Sequence, residues 1–131
     1  MYSEMLSRFC FCLFAFATLL YQPVRSANCF SGPHWQYYDT LYEDAWKVRV
    51  ALCSDNTDVS CFTDGGITTC KASFGNVQGG YAAPTKAMGL EYCWDAFDNT
   101  INQCIYSDQP GGFYTYNQAV FNIQPIQLEN Y

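Results

Sequence analysis

Two stretches of the chain repeat apolar side chains at the spacing of an amphipathic α-helix, about 100° per residue. The first covers residues 35–52, where Ser31 can cap the start and Pro33 suits a first turn. The second covers residues 90–105. The predicted buried faces are Tyr37, Tyr38, Leu41, Ala45, Val48 and Leu52 in the first helix, and Leu90, Cys93, Trp94, Phe97, Ile101, Cys104 and Ile105 in the second.

A two-residue alternation predicts β-strands elsewhere. Residues 66–75 are rich in β-branched side chains, and residues 111–125 predict a hairpin with strands Phe113–Tyr116 and Ala119–Gln124. Residues 75–89 contain several glycines and predict a long loop with at most one short strand. The whole pattern predicts a small α+β domain, in which an antiparallel sheet packs against both helices.

The N-terminus has the features of a secretory signal peptide. A short start with Arg8 precedes the apolar run "CFCLFAFATLLY", and the small residues Ser26 and Ala27 follow it. The apolar run is too short for a comfortable membrane span. We therefore predict a signal peptide at residues 1–26 and one extracellular domain at residues 27–131.

Six cysteines remain after residue 26: Cys29, Cys53, Cys61, Cys70, Cys93 and Cys104. An even number in a small exported domain predicts three disulfides. No Cys-x-x-Cys pair is present, so a zinc site is not expected. Cys93 and Cys104 would lie about 16 Å apart along the second helix. A disulfide needs Cα atoms within about 7 Å, so each should pair with a different cysteine of the other four.

The charge of the chain excludes some partners. It has 6 basic and 12 acidic residues, of which Arg8, Arg25 and Glu4 precede residue 27, leaving a net charge of −7 for residues 27–131. An acidic surface repels phosphates, so neither nucleic acid nor an anionic membrane is an expected partner.

Candidate catalytic residues are few. His34 is the only histidine, and the cysteines are expected to be oxidised, so no Cys–His or paired-histidine arrangement is available. Asp95 and Asp98, near Glu91, share the polar side of the second helix and are expected to face water rather than a cleft. Arg49 falls in the apolar sector of the first helix, which predicts an internal ion pair or stacking on Trp46. We expect neither an enzyme nor a cofactor.

Aromatic and amide side chains suggest a binding site instead. A sugar has apolar C–H faces for an aromatic ring and hydroxyls for carboxamides and carboxylates. The segments "NVQGGY" and "YSDQPGGFYTYNQ" supply such residues, although tyrosine-rich strands can equally serve only the sheet. The predicted ligand-binding residues are Trp35, Tyr81, Tyr106, Asp108, Tyr114, Tyr116, Asn117 and Gln118.

The order of these features resembles a family of small secreted glycan-binding proteins of fungi, typified by a mushroom lectin for fucosylated LacdiNAc glycans. The matching residues are Cys29-Phe30-Ser31-Gly32, Cys53, Cys93, Cys104 and Gly111-Gly112, whereas Phe113 stands where tryptophan is expected. The resemblance implies an α/β/α sandwich, calcium-independent binding of glycans or glycoproteins, and a homodimer formed by extension of the sheet.

The sequence therefore predicts a secreted, disulfide-stapled, lectin-like protein without catalytic activity. The alternative is a secreted fungal effector or toxin that binds a host protein. Affinity for a free glycan distinguishes the first hypothesis from the second.

Overall fold

A computed structural model describes residues 26–32 and 38–126 of the protein. The predicted signal peptide, except Ser26, and the candidates His34 and Trp35 lie outside the described residues. The helices are α1, Tyr38–Cys53, and α2, Lys86–Thr100, which continues as a π-helical turn at Ile101–Ile105. The strands are β1 (Asn28–Cys29), β2 (Ser60–Asp64), β3 (Ile67–Phe74), β4 (Val77–Ala83), β5 (Gly112–Tyr116) and β6 (Ala119–Pro125).

Both predicted helices are present. The first described helical residue of α1 is Tyr38, because residues 33–37 are not described. Helix α2 begins one turn earlier than its apolar period predicted, because the Thr85 hydroxyl accepts a hydrogen bond from the Met88 amide at 3.1 Å and caps the helix. The apolar faces of both helices meet the sheet, where Leu52, Val48 and Phe97 are fully buried.

The six strands form one antiparallel sheet in the order β1-β5-β6-β4-β3-β2. The predicted hairpin is confirmed as β5 and β6. Its turn residues Asn117 and Gln118 have φ values of +46° and +69°, which matches the I′-type geometry that follows the twist of a hairpin.

The long loop predicted at residues 75–89 is mostly regular structure instead: the strand allowed for there is β4, a seven-residue central strand, and α2 begins at Lys86. The glycines of β4 are required by close packing rather than by a turn. A Cβ on Gly79 would stand 2.7 Å from Val48 Cγ1 of α1, and a Cβ on Gly80 would stand 2.7 Å from the Cys70 carbonyl oxygen. Glycine in a strand can mark such a close approach.

Both helices cover the same face of the sheet. Val48 of α1 lies against Gly79 of β4, and Gly89 of α2 lies against the ring of Tyr81 on the same strand. The antiparallel sheet with two packed helices is confirmed. The α/β/α layering implied by the family resemblance is not: the described residues form two layers, and no described helix covers the second face, which we call the open face. It carries the alternate side chains of each strand, such as Lys71, Gln78 and Asn122.

Three disulfides join the elements. Cys29–Cys104 fixes β1 to the π-helical turn, Cys53–Cys93 fixes the end of α1 to α2, and Cys61–Cys70 links β2 to β3. As predicted from the helical rise, Cys93 and Cys104 pair with different partners. The three bridges span 75, 40 and 9 residues of sequence. The cysteines of each shorter bridge lie between those of the next longer one, so the bridges are nested. Disulfides of this kind persist in oxidising compartments.

Candidate functional site

A shallow depression of about 240 Å³ lies on the open face of the sheet, over β3, β4 and β6. Its floor is at Gly80, between Lys71 and Asn122 of the neighbouring strands. The position of a Cβ on Gly80 lies 3.3 Å from Lys71 Cγ and 3.6 Å from Asn122 Oδ1. The side chains that line the depression from the open face are Thr69, Lys71, Ser73, Gln78, Ala82, Val120, Asn122 and Gln124.

Hydroxyls and carboxamides supply the polar part of this lining. The strand register places Ser73, Gln78 and Gln124 side by side in one row and Asn122 in the next row, beside Gly80. Within the described residues, the carboxamides of Gln78, Asn122 and Gln124 make no hydrogen bond to another protein group. Each carboxamide offers two donor hydrogens and one acceptor oxygen. A ligand rich in hydroxyls would find partners of both kinds here.

Two aromatic positions border the depression on the open face. Phe62 of β2 lies opposite Thr69 and is 54% exposed. On the other side, Phe113 of β5 lies opposite Asn122, and its ring centroid is 6.0 Å from that of Phe30. Phe113 ends the row of Lys71, Gly80 and Asn122, and Phe62 ends the neighbouring row of Thr69, Ala82 and Val120. Phenylalanine rings therefore lie on opposite sides of the depression.

Two predicted binding residues are buried instead of exposed. Tyr81 is 2% exposed and Tyr114 is 6% exposed, and both side chains point toward the helices. The interpretation of these two tyrosines as exposed stacking residues was wrong, because strand alternation places them on the covered face. The ring of Tyr81 contacts Gly89 and lies 6.0 Å from the Phe121 ring, centroid to centroid.

Burial also affects the ionisation of Tyr81. Desolvation, helped by the negative charge of Asp55, raises the pKa of its phenol. Its hydroxyl has no hydrogen-bond partner among the described residues. A buried hydroxyl without a partner costs free energy that the folded protein must offset.

We expect Tyr81→Phe to keep or raise stability, by up to about 1 kcal/mol at neutral pH. A pKa raised in the folded state means that the free energy of unfolding is highest below pH about 10, where the phenol is neutral, and falls as pH rises through the folded pKa, because the ionised phenol is less favourable when buried. The variant should therefore also resist alkaline unfolding better than the parent. Urea unfolding at pH 7 and pH 11 would measure both effects.

Tyr106→Phe is the matched control, because Tyr106 is 72% exposed and its substitution should leave the unfolding free energy unchanged. A loss of more than about 1 kcal/mol in Tyr81→Phe would mean that the Tyr81 hydroxyl is hydrogen-bonded in solution.

The other predicted residues do not form one site. Tyr106 and Asp108 are exposed and precede β5, whereas Asn117 and Gln118 are exposed at its far end. The two groups flank β5, whose five residues span about 13 Å from the first to the last Cα. Tyr116 is half-buried, and its ring centroid lies 4.0 Å from that of Tyr92. The hydrogen bond between the two phenols raises the pKa of Tyr92.

A second group of aromatic residues, half-buried or exposed, lies on the helix side, where side chains of α1 meet those of α2 and of Tyr106. We call Tyr42, Trp46, Arg49, Trp94 and Tyr106 the helix-side strip. The Arg49 guanidinium lies 4.8 Å from the Trp46 ring centroid and 4.9 Å from that of Trp94. Tyr42 lies 5.8 Å from Trp46 and 5.6 Å from Tyr106, centroid to centroid. Trp94 and Tyr106 are the more exposed ends, at 41% and 72%.

The predicted stacking of Arg49 on Trp46 is confirmed, whereas its ion pair lies at the surface, because the Asp98 side chain is 49% exposed. The Arg49 Nε donates to the Trp94 carbonyl at 3.0 Å, and its Nη2 lies 3.6 Å from Asp98 Oδ1. Arginine thus connects α1 to α2 through an ion pair, a hydrogen bond and stacking on two indoles. The Asp98 carboxylate, one of the candidate catalytic acids, is a partner of Arg49.

The residues of the sheet depression were missed by sequence reasoning. They come from three segments near residues 69–73, 78–82 and 120–124, and no local motif joins them. The only sequence pattern that indicated part of this site was the two-residue spacing of Thr69, Lys71 and Ser73 along β3, because such spacing places side chains on one face of a strand.

Comparison of the chain with protein-family models, with curated proteins and with solved structures found no match. The resemblance to fungal glycan-binding proteins therefore stays a prediction. In the part of the chain that the structure describes, no helix has both the length and the apolar character to span a membrane. In the same part, no three His, Cys, Asp or Glu side chains come together as metal ligands would.

Proposed function

We propose that the protein is a secreted glycan-binding protein that holds its ligand in the depression on the open face of the sheet and does not transform it. The observation that supports this most is the group of three carboxamides, Gln78, Asn122 and Gln124, that make no hydrogen bond within the described residues, with the exposed ring of Phe62 and the half-buried ring of Phe113 on opposite sides. A sugar would use the carboxamides and hydroxyls for its own hydroxyls and an aromatic ring for its apolar face. Sites of this kind combine a concave surface with a few placed polar groups.

The site differs from the one predicted from the sequence. Aromatic and amide side chains would still provide the binding chemistry, but the residues would be Phe62, Gln78, Asn122 and Gln124 instead of those predicted chiefly within residues 106–118. Three disulfides fit the proposed extracellular location, because such bridges are stable outside the reducing cytosol.

The homodimer formed by sheet extension is part of the proposal, and β2 is the edge that suits it. All five residues of β2 are exposed, whereas the other edge, β1, has only two residues. An exposed edge strand presents unpaired backbone groups to a second copy of the chain. Pairing of two β2 strands would join two open faces into one sheet and bring two depressions to the same side.

The test of glycan binding compares two tyrosine substitutions on the open face. Ala82 lines the depression, whereas Thr115 lies on the same face of β5 outside it. Ala82→Tyr should fill the depression and lower affinity for a glycan at least about tenfold, equivalent to about 1.4 kcal/mol. Thr115→Tyr should bind as the parent does. A glycan array with neutral and acidic sugars selects the ligand, and isothermal titration calorimetry measures the affinity.

Binding that survives in Ala82→Tyr would remove the depression as the site. An array on which the oxidised parent protein binds no glycan would contradict the proposed function. Binding accompanied by cleavage of the sugar, detected by mass spectrometry, would contradict the non-catalytic part of it.

The helix-side strip favours the alternative, a fungal effector or toxin that binds a host protein. Trp, Tyr and Arg are the residue types that dominate binding energy in protein interfaces. Under this alternative, Trp94→Ala should abolish capture of the partner, and free glycans should not compete. Under the main proposal, Trp94→Ala should leave glycan affinity unchanged, because Trp94 lies on the helix side of the sheet.

A further inference from the structure

Charged side chains are distributed unevenly between the two sides of the molecule. The six strands contain only two of them, Asp64 and Lys71. The helices and loops carry the other acidic residues of the described part, which are Asp39, Glu43, Asp44, Asp55, Asp58, Glu91, Asp95, Asp98 and Asp108. The two helices are therefore rich in carboxylates, among them Glu43, Asp44, Glu91, Asp95 and Asp98, whereas the sheet depression is lined by one cation and no carboxylate.

Lys71 makes no ion pair within the described residues. The three ion pairs found there belong to Lys47, Arg49 and Lys86. Asp64, the other charged residue of the sheet, lies opposite Ile67, which is four residues from Lys71 along β3, or about 13 Å. The charge of Lys71 is thus not neutralised by a carboxylate of the described protein.

The position of Lys71 suits a charged group on a sugar. Its side chain passes beside Gly80 at the floor of the depression, and its Nζ lies 6.0 Å from the centroid of the Phe62 ring. Asn122 stands on the other side of Gly80. Lys71 of β3 stands between Phe62 of β2 and Asn122 of β6. An oligosaccharide with one ring stacked on Phe62 and a further ring hydrogen-bonded to Asn122 would therefore pass within reach of the Lys71 ammonium.

We infer that the depression selects an acidic sugar, one whose ring carries an oxyanion that pairs with Lys71. A uronic-acid carboxylate and a sulfate ester share this chemistry. The inference rests on the proposed function, since it names the ligand class of the same site. Opposite charge at a binding site adds selectivity more than total affinity. The acidic helix side would also disfavour an approach of such a ligand from the wrong direction.

The experiment uses pairs of oligosaccharides that differ only in charge. Oligogalacturonate and its methyl ester form one pair, and a sulfated oligosaccharide and its desulfated form make the second. Titration calorimetry of the oxidised protein should give affinity about threefold to tenfold higher for the charged member of at least one pair. The difference should shrink at high salt, because an exposed charge is screened. A preference within the first pair would identify a carboxylate as the group bound by Lys71, and a preference within the second pair would identify a sulfate ester.

Three lysine variants assign the effect to one residue. Lys71→Gln should remove the preference for the charged sugar, and Lys71→Arg should retain it. Lys47→Gln removes a cation from the helix side, where Lys47 pairs with Asp44 at 3.4 Å, and should change nothing. Both positions are exposed, so the fold should tolerate these changes.

The failures of the two proposals are distinguishable. Equal affinity for charged and neutral sugars, with both lost in Ala82→Tyr, would overturn the inference while the depression remains a glycan site. Binding of neutral glycans only would also overturn the inference of an acidic ligand, and the proposed glycan binding would stand. A preference for charged sugars that persists in Lys71→Gln would also overturn the inference. If no glycan of either class binds, the proposed function fails as well.

Discussion

Replacing both Cys53 and Cys93 by alanine is expected to lower the free energy of unfolding by about 4 kcal/mol. The bridge closes a loop of 40 residues between the end of α1 and the second turn of α2. Without it, the unfolded chain gains conformational freedom that increases with the length of the loop. Cys93 is fully buried and Cys53 nearly so, so the variant also loses packing between the helices.

The matched comparison replaces Cys61 and Cys70, whose bridge spans only 9 residues. That pair of substitutions should cost less, about 2.7 kcal/mol on the same chain-entropy basis. Urea unfolding under oxidising conditions, followed by tryptophan fluorescence, would rank the two variants. An equal or reversed ranking would mean that loop length does not control the contribution of these bridges.

Phe121→Ala should lower the free energy of unfolding by about 3–5 kcal/mol. Phe121 has no exposed surface and lies in β6, between β4 and β5. Its ring lies 5.8 Å from that of Phe97 in α2 and 6.0 Å from that of Tyr81 in β4, centroid to centroid. Its removal leaves a cavity where the sheet meets α2, and the surrounding rings cannot close it fully.

Val120→Ala is the control for Phe121→Ala, because the two residues are adjacent on one strand and point to opposite faces. Val120 is 42% exposed, so its truncation should cost less than about 1 kcal/mol. Thermal and urea unfolding of both variants would check the difference. A loss below about 1.5 kcal/mol in Phe121→Ala would show that the core repacks around the vacated volume.

The sequence predicted the helices well because their apolar periods are long and the covered faces contain few polar residues. The hairpin of β5 and β6 followed from alternation alone. Helical rise also sufficed to exclude a Cys93–Cys104 bridge. These features depend on local spacing, which a single sequence contains.

Features that depend on contacts between distant segments were missed. The pair Gly79-Gly80 is typical of a loop when only the sequence is considered. A central strand needs these glycines because Val48 approaches Gly79 and the β3 backbone approaches Gly80. Strand alternation shows that Tyr81 and Tyr114 lie on the same face as the residues two positions before and after each of them. It does not show which face of the sheet the helices cover. The depression joins side chains of β3, β4 and β6, so its existence depends on the strand order.

The enclosed order of the disulfides has a consequence for oxidative folding. Six cysteines allow 15 pairings, but in this one no bridge crosses another, so no segment must be threaded through a closed ring. The Cys61–Cys70 bridge, with a separation of 9 residues, needs the smallest loop closure. Its formation shortens the effective path from Cys53 to Cys93, and that bridge in turn shortens the path from Cys29 to Cys104. The connectivity therefore permits the bridges to close from the inside outward, each one reducing the entropy cost of the next.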